Sequence, residues 1–134
     1  MSRVESLRAK LHAKNPLLRG AIGEFFGTFL LVFIGECIVA QFHLLNHRNS
    51  WIQINVGWGF AVAFSIFTVA KVSGGHINPA VTAMLWSFGL VPHVQAVVYV
   101  VAQLLGGFVG AAATYLFYYE LIDQMEVGCY GFNW

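Results

Sequence analysis

The sequence predicts an all-α membrane fold: three transmembrane helices plus one re-entrant half-helix. Three observations carry this. Of 134 residues, 58% are hydrophobic and only 10% charged, against about 25% charged in ordinary soluble domains; the mean hydropathy is +0.69. Three apolar runs, over residues 21–42, 51–71 and 94–119, reach the length of about 20 residues that a helix needs to cross a ~30 Å hydrocarbon core. Between the second and third lies residues 72–82, a stretch that breaks one helix and starts another.

That stretch organises the chain. Ser73, Gly74 and Gly75 release the backbone from helical geometry. Asn78 is a preferred N-cap residue, and Pro79 follows at the first helical position, where its missing N–H costs nothing. The helix expected over residues 79–88 is about 15 Å long, half the hydrocarbon thickness. Irregular backbone at that depth is tolerated only where protein buries it or where it lines a water-filled cavity. The carbonyls of Gly74, Gly75 and His76 can accept hydrogen bonds, and the side-chain NH2 of Asn78 can donate. Pro79 and Ala80 open the half-helix, whose positive end repels cations. The set suits a pathway for a neutral hydrogen-bonding solute.

The remaining elements follow in order. Residues 1–19 form a basic tail. Ser2 and Glu5 read as a capping box before a short helix with Val4, Leu7 and Leu11 on one side, which Asn15-Pro16 ends. The first span is too long for the apolar part of a signal peptide. Its Gly23 and Gly27 make a small-residue face for close helix contact. Glu24 and Glu36 are costly in lipid and must face protein or water; Glu24 is expected to accept hydrogen bonds from the loop that carries His76. Residues 43–50 are a polar connection. In the second span Trp51 reads as an interfacial aromatic, and Gly57 and Gly59 flank Trp58. Residues 89–93 turn at Pro92 into the third span. There Gln103 is expected to pair with backbone of a neighbouring helix, Gly106, Gly107 and Gly110 form a second small face, and Tyr115, Tyr118 and Tyr119 an aromatic belt. Residues 120–134 read as a short acidic, aromatic extracellular end without helical period.

Several function classes are excluded. A net charge of +1 provides no field for nucleic acid. Cys37 and Cys129 have neither CxxC nor metal-ligand spacing, so no disulfide framework and no metal site is indicated. No nucleophile elbow, P-loop, zinc-protease or dinucleotide motif is present, so neither an enzyme nor a cofactor is expected. His12, His43, His47 and His93 sit in polar turns or at segment ends. His76 alone lies in the broken stretch.

Residues 58–82, WGFAVAFSIFTVAKVSGGHINPAVT, closely resemble the major intrinsic protein (aquaporin) family. The Glu24-Phe25-Phe26-Gly27-Thr28 run and Ala102-Gln103-Leu104-Leu105-Gly106-Gly107 agree, so the likeness covers residues 20–119. Trp58, twenty residues before Asn78, resembles the aquaglyceroporin branch. The resemblance implies a passive channel for glycerol and water. The inner carbonyls of Gly74, Gly75 and His76 would line it, Asn78 would donate to the solute, and Trp58 would supply an apolar wall at the filter. Glu24 and Gln103 would be buried structural polar groups. Family members carry two inverted repeats; this chain carries one, without a second Asn-Pro-Ala or the filter arginine. It is therefore expected to be the N-terminal half of such a channel or, alternatively, a non-conducting truncated isoform or fragment that associates with full-length subunits. The family implies a homotetramer and a plasma-membrane location, with the lipid bilayer as partner.

Five of the seven Lys and Arg residues precede Ala21, which puts the N-terminus in the cytoplasm by the positive-inside rule, and three spans put the C-terminus outside. A glycosylation acceptor introduced after Phe132 is expected to be modified in microsomes and one before Ser6 to stay unmodified; the reverse pattern would overturn this topology.

Overall fold

The computed structural model describes residues 14–44 and 50–130, with side chains to Met125. The tail helix expected at Ser2–Glu5, most of the 43–50 connection and residues 131–134 lie outside the described residues. Among those described, all regular structure is helical: α1 (Pro16–Leu44), α2 (Trp51–Ser73), α3 (Pro79–Ser87) and α4 (His93–Tyr130). Three of them are long and apolar enough to cross a membrane, with α4 meeting that measure over His93–Met125.

The helix ends depart from the sequence expectation for identifiable reasons. The first helix starts at Pro16, not Ala21. Asn15 caps it: its Oδ1 accepts from Leu17 N–H at 2.9 Å and its carbonyl from Arg19 N–H at 3.0 Å. Asn15-Pro16 therefore opens α1 where it was expected to close a tail helix, by the same Asn cap and Pro at the first position that open α3. The second helix runs two residues beyond Lys71 and stops where Gly74 turns left-handed. The fourth does not end at 119. Residues 120–127 contain no Gly or Pro, and Leu121 and Ile122 are half-buried, so the helix carries on through the acidic segment expected to be irregular.

The backbone of α1 is the middle of the assembly. It packs on α2 on one side and α4 on the other, and α3 packs on α4. Both α1 contacts depend on small residues. A Cβ on Gly23 would lie 3.0 Å from Ser73 Cβ, and one on Gly27 would lie 2.6 Å from a methyl of Ile77. On the other side Gly106 sits directly against the Phe25 carbonyl, and a Cβ on Gly110 would lie 2.8 Å from the Phe29 carbonyl oxygen. Close backbone approach gives van der Waals contact where lipid removes the usual hydrophobic drive between helices.

The burial pattern differs from that of a soluble protein: apolar residues such as Phe42, Ile54, Val69 and Ile77 are buried, but the most completely buried large side chains are polar. The largest fully buried side chains are Gln103, Glu24, Thr82 and Ser65. Large apolar side chains such as Phe60, Phe64, Phe67, Leu104, Phe108 and Leu116 face outward. Apolar groups gain nothing by leaving lipid, whereas polar groups are costly there and turn inward. Glu24, Thr82 and the Gln103 Nε2 find partners inside, while Ser65 Oγ and Gln103 Oε1 have none among the described residues. Glu36 lies on the exposed surface of α1.

Gly106→Val, which drives a branched side chain into a backbone carbonyl, is expected to destabilise the fold by about 1–3 kcal/mol or more. The thermal unfolding midpoint in detergent should fall accordingly. Gly59, whose Cβ would meet nothing within 4 Å, should tolerate Ala with no loss.

The re-entrant loop as candidate functional site

The site begins where α2 stops. Gly74 takes φ 95° and returns its N–H to the Ala70 carbonyl at 3.0 Å. Gly75 follows with φ 66°, and its N–H reaches Ser73 Oγ at 3.2 Å. Two consecutive left-handed residues turn the chain out of the helix, a conformation open to glycine at little cost. Ile77 has φ 42° and is the non-glycine residue with positive φ among those described. A β-branched residue there is strained by about 1–3 kcal/mol. Its side chain is buried in the space that Gly27 leaves vacant, and its N–H is bonded.

The bond that holds it comes from Glu24, fully buried on α1. Glu24 Oε1 accepts from His76 N–H at 3.0 Å; Oε2 accepts from Ile77 N–H at 2.6 Å and from Gln103 Nε2 at 2.8 Å. All three partners donate, the arrangement that suits an acceptor-only carboxylate. Gln103 also donates to Thr82 Oγ1 at 2.9 Å. It therefore pairs with two side chains, not with neighbouring backbone as the sequence suggested, because its NH2 has two donors and two acceptors converge on it. Thr82 lies 3.0 Å from His76 Nδ1 and donates to the Asn78 carbonyl at 3.2 Å. One network thus ties α1, the loop, α3 and α4.

Asn78 caps α3 with Oδ1, which accepts from Ala80 N–H at 2.8 Å. That orientation turns its NH2 away from the helix, and the residue is exposed. Pro79 occupies the first position of α3 and Ala80 is exposed beside it. Among the described residues no group donates to the carbonyls of Gly74, Gly75 or His76. The N–H groups of Gly74 to Ile77 are taken by the Ala70 carbonyl, Ser73 Oγ and Glu24, while the carbonyls of Gly74, Gly75 and His76 and the Asn78 NH2 are left over.

Trp58 stands apart from the network. It sits about two helical turns into α2, half-buried, its ring lying against Gly35 of α1 in the space a Cβ would take.

Two residues in the site carried no role in the sequence reading. Thr82 was signalled by being the polar residue in the otherwise apolar run 80–86. Tyr99 had only its hydroxyl as a signal; it donates to the Ser73 carbonyl at 3.1 Å and sets its ring edge-on to His76 at 5.3 Å.

Replacing Glu24 tests the network. Glu24→Gln keeps an acceptor oxygen but turns an NH2 toward a donor, and is expected to cost about 1–3 kcal/mol; Glu24→Leu strands three buried donors and should cost more. Unfolding in detergent would show that order, and amide exchange at His76 and Ile77 should accelerate in both variants.

The profile of the family described as "Major intrinsic protein" matches residues 11–131. A probable glycerol uptake facilitator protein of Thermotoga maritima is 45% identical over 100 residues, covering 72% of this chain and 43% of the relative. Human Aquaporin-9 is 43% identical over 117 residues, covering 87% of this chain and 40% of the relative. The X-ray structure of the aquaglyceroporin from Plasmodium falciparum superposes with a TM-score of 0.77 at 42% identity, over 81% of this chain and 45% of that one. The chain spans somewhat under half the length of these relatives. With a matching profile over most of its length and a helix–loop–half-helix arrangement shared with a solved aquaglyceroporin, the chain belongs to the major intrinsic protein family.

Proposed function

We propose that this chain supplies one half of a passive transmembrane pathway for glycerol and water, and that it is a channel component and not an enzyme. The observation that carries the reading is the division of labour in the loop. The N–H groups of Gly74 to Ile77 are tied to the Ala70 carbonyl, Ser73 and Glu24, while the carbonyls of Gly74, Gly75 and His76 and the NH2 of Asn78 have no hydrogen-bond partner among the described residues. A polyol or water molecule donates to the carbonyls and accepts from the amide. Trp58 serves as the apolar wall for a carbon skeleton. The names of the relatives, a glycerol uptake facilitator and an aquaglyceroporin, support the solute class. In this proposal the N-terminus is cytoplasmic, the membrane is the plasma membrane, and copies assemble as a homotetramer or with longer subunits of the family.

Half of such a pathway has an open side. Polar groups stranded there against lipid cost several kcal/mol each, so the 134-residue chain alone in liposomes should pass neither solute above the lipid background. Joined to the second repeat of a relative, it should pass both in stopped-flow swelling. In the joined protein Trp58→Phe should shift the glycerol-to-water ratio at unchanged expression. Asn78→Asp, which removes the donor, should slow both solutes by roughly tenfold, the equivalent of about 1.4 kcal/mol. Robust glycerol flux through the chain alone would overturn the half-pathway. An inactive joined protein would favour the non-conducting partner of longer subunits.

A further inference from the structure

The single proton of Thr82 decides which nitrogen of His76 is free. The Thr82 side chain is fully buried. Three polar atoms surround its hydroxyl: Gln103 Nε2 at 2.9 Å, His76 Nδ1 at 3.0 Å and the Asn78 carbonyl oxygen at 3.2 Å. A hydroxyl donates once and accepts twice, so three partners saturate it only if one accepts and two donate. The Asn78 carbonyl can only accept. Gln103 must donate, because the same Nε2 also bonds Glu24 Oε2 at 2.8 Å, and turning the amide over would set its oxygen against a carboxylate oxygen. The remaining partner, His76 Nδ1, is then a donor as well.

We infer that Thr82 is a positioning residue that holds His76 as the Nδ1–H tautomer, leaving Nε2 as a bare hydrogen-bond acceptor at the loop. The ring is steadied from a second side by the edge-on contact with Tyr99, at 70° between planes. Its Nε2 lies over the loop, 3.5 Å from where a Cβ on Gly74 would stand, and the residue is partly exposed. The row of carbonyl acceptors at Gly74, Gly75 and His76 thereby gains a side-chain acceptor. That this serves a solute hydroxyl rests on the proposed channel function; the tautomer itself does not.

The test is nitrogen-15 NMR of the histidine-labelled 134-residue chain in lipid bilayers, at alkaline pH where imidazoles are neutral. A His76→Gln spectrum assigns the signal. The nitrogen that correlates with both carbon-bound ring protons is Nε2, and it is expected in the unprotonated range, with Nδ1 protonated. Thr82→Ser, which keeps the hydroxyl, should reproduce this pattern. Thr82→Val should give averaged or reversed nitrogen shifts. A protonated Nε2 in the parent would overturn the inference, and that spectrum decides it even if Thr82→Val fails to fold. An unchanged pattern in folded Thr82→Val would remove Thr82 from the role. Neither reading needs flux, so failure of the channel proposal and failure of this one are separable.

Discussion

A chain that breaks its helix inside a bilayer must satisfy the freed backbone N–H groups without water. Glu24 meets that constraint, and the rest of the structure depends on it. Its two oxygens take the N–H groups of His76 and Ile77, which lets Ile77 stay in a left-handed conformation it would otherwise leave. A carboxylate is the efficient choice, since it accepts several bonds and competes for none. Its burial is tolerable because Gln103 adds a third donor from the opposite helix. Removing one partner from such a network leaves the others unpaired in a medium where that is costly.

The packing of α1 follows from the same demand. To bring Glu24 under the loop, α1 must lie close to both α2 and α4. Small residues permit that on each side: Gly23 and Gly27 toward the α2 end and loop, Gly106 and Gly110 from α4. Gly27 joins the two themes, since the room it leaves is filled by the Ile77 side chain. With helices this close the interior holds a few apolar side chains such as Val69, Ile77 and Tyr99 beside the polar ones, and many bulky aromatic and aliphatic groups face outward. Lipid is as good a solvent for them as a protein core.

The loop's chemistry is a consequence of where its donors go. The Ala70 carbonyl, Ser73 and Glu24 use its N–H groups from Gly74 to Ile77, so the segment that remains is rich in acceptors until Asn78 presents a side-chain amide. Asn78 is oriented by its own capping bond, which commits Oδ1 to α3. Structural necessity and the proposed solute contacts are thus two aspects of one hydrogen-bond arrangement, and Thr82 extends it to the His76 ring.

Much of this was legible in the sequence because it is local. Three apolar runs of spanning length, a Gly-Gly break and an Asn-Pro cap act over a few residues, so they specify the spans, the loop and the half-helix without reference to the rest of the chain. Helix ends were less legible. Asn15-Pro16 can close one helix or open the next, and residues 120–127 carry helix-compatible residues without a clear apolar period. Long-range pairing was hidden altogether. That Gln103 meets two side chains, that Thr82 joins the loop to α4 and that Trp58 rests on Gly35 are matters of which helix faces which. The sequence alone determined the elements and the polar residues that had to be buried. Only the tertiary structure decided their partners, because a hydrogen bond between residues 79 positions apart, as between Glu24 and Gln103, exists only once the helices have closed on one another.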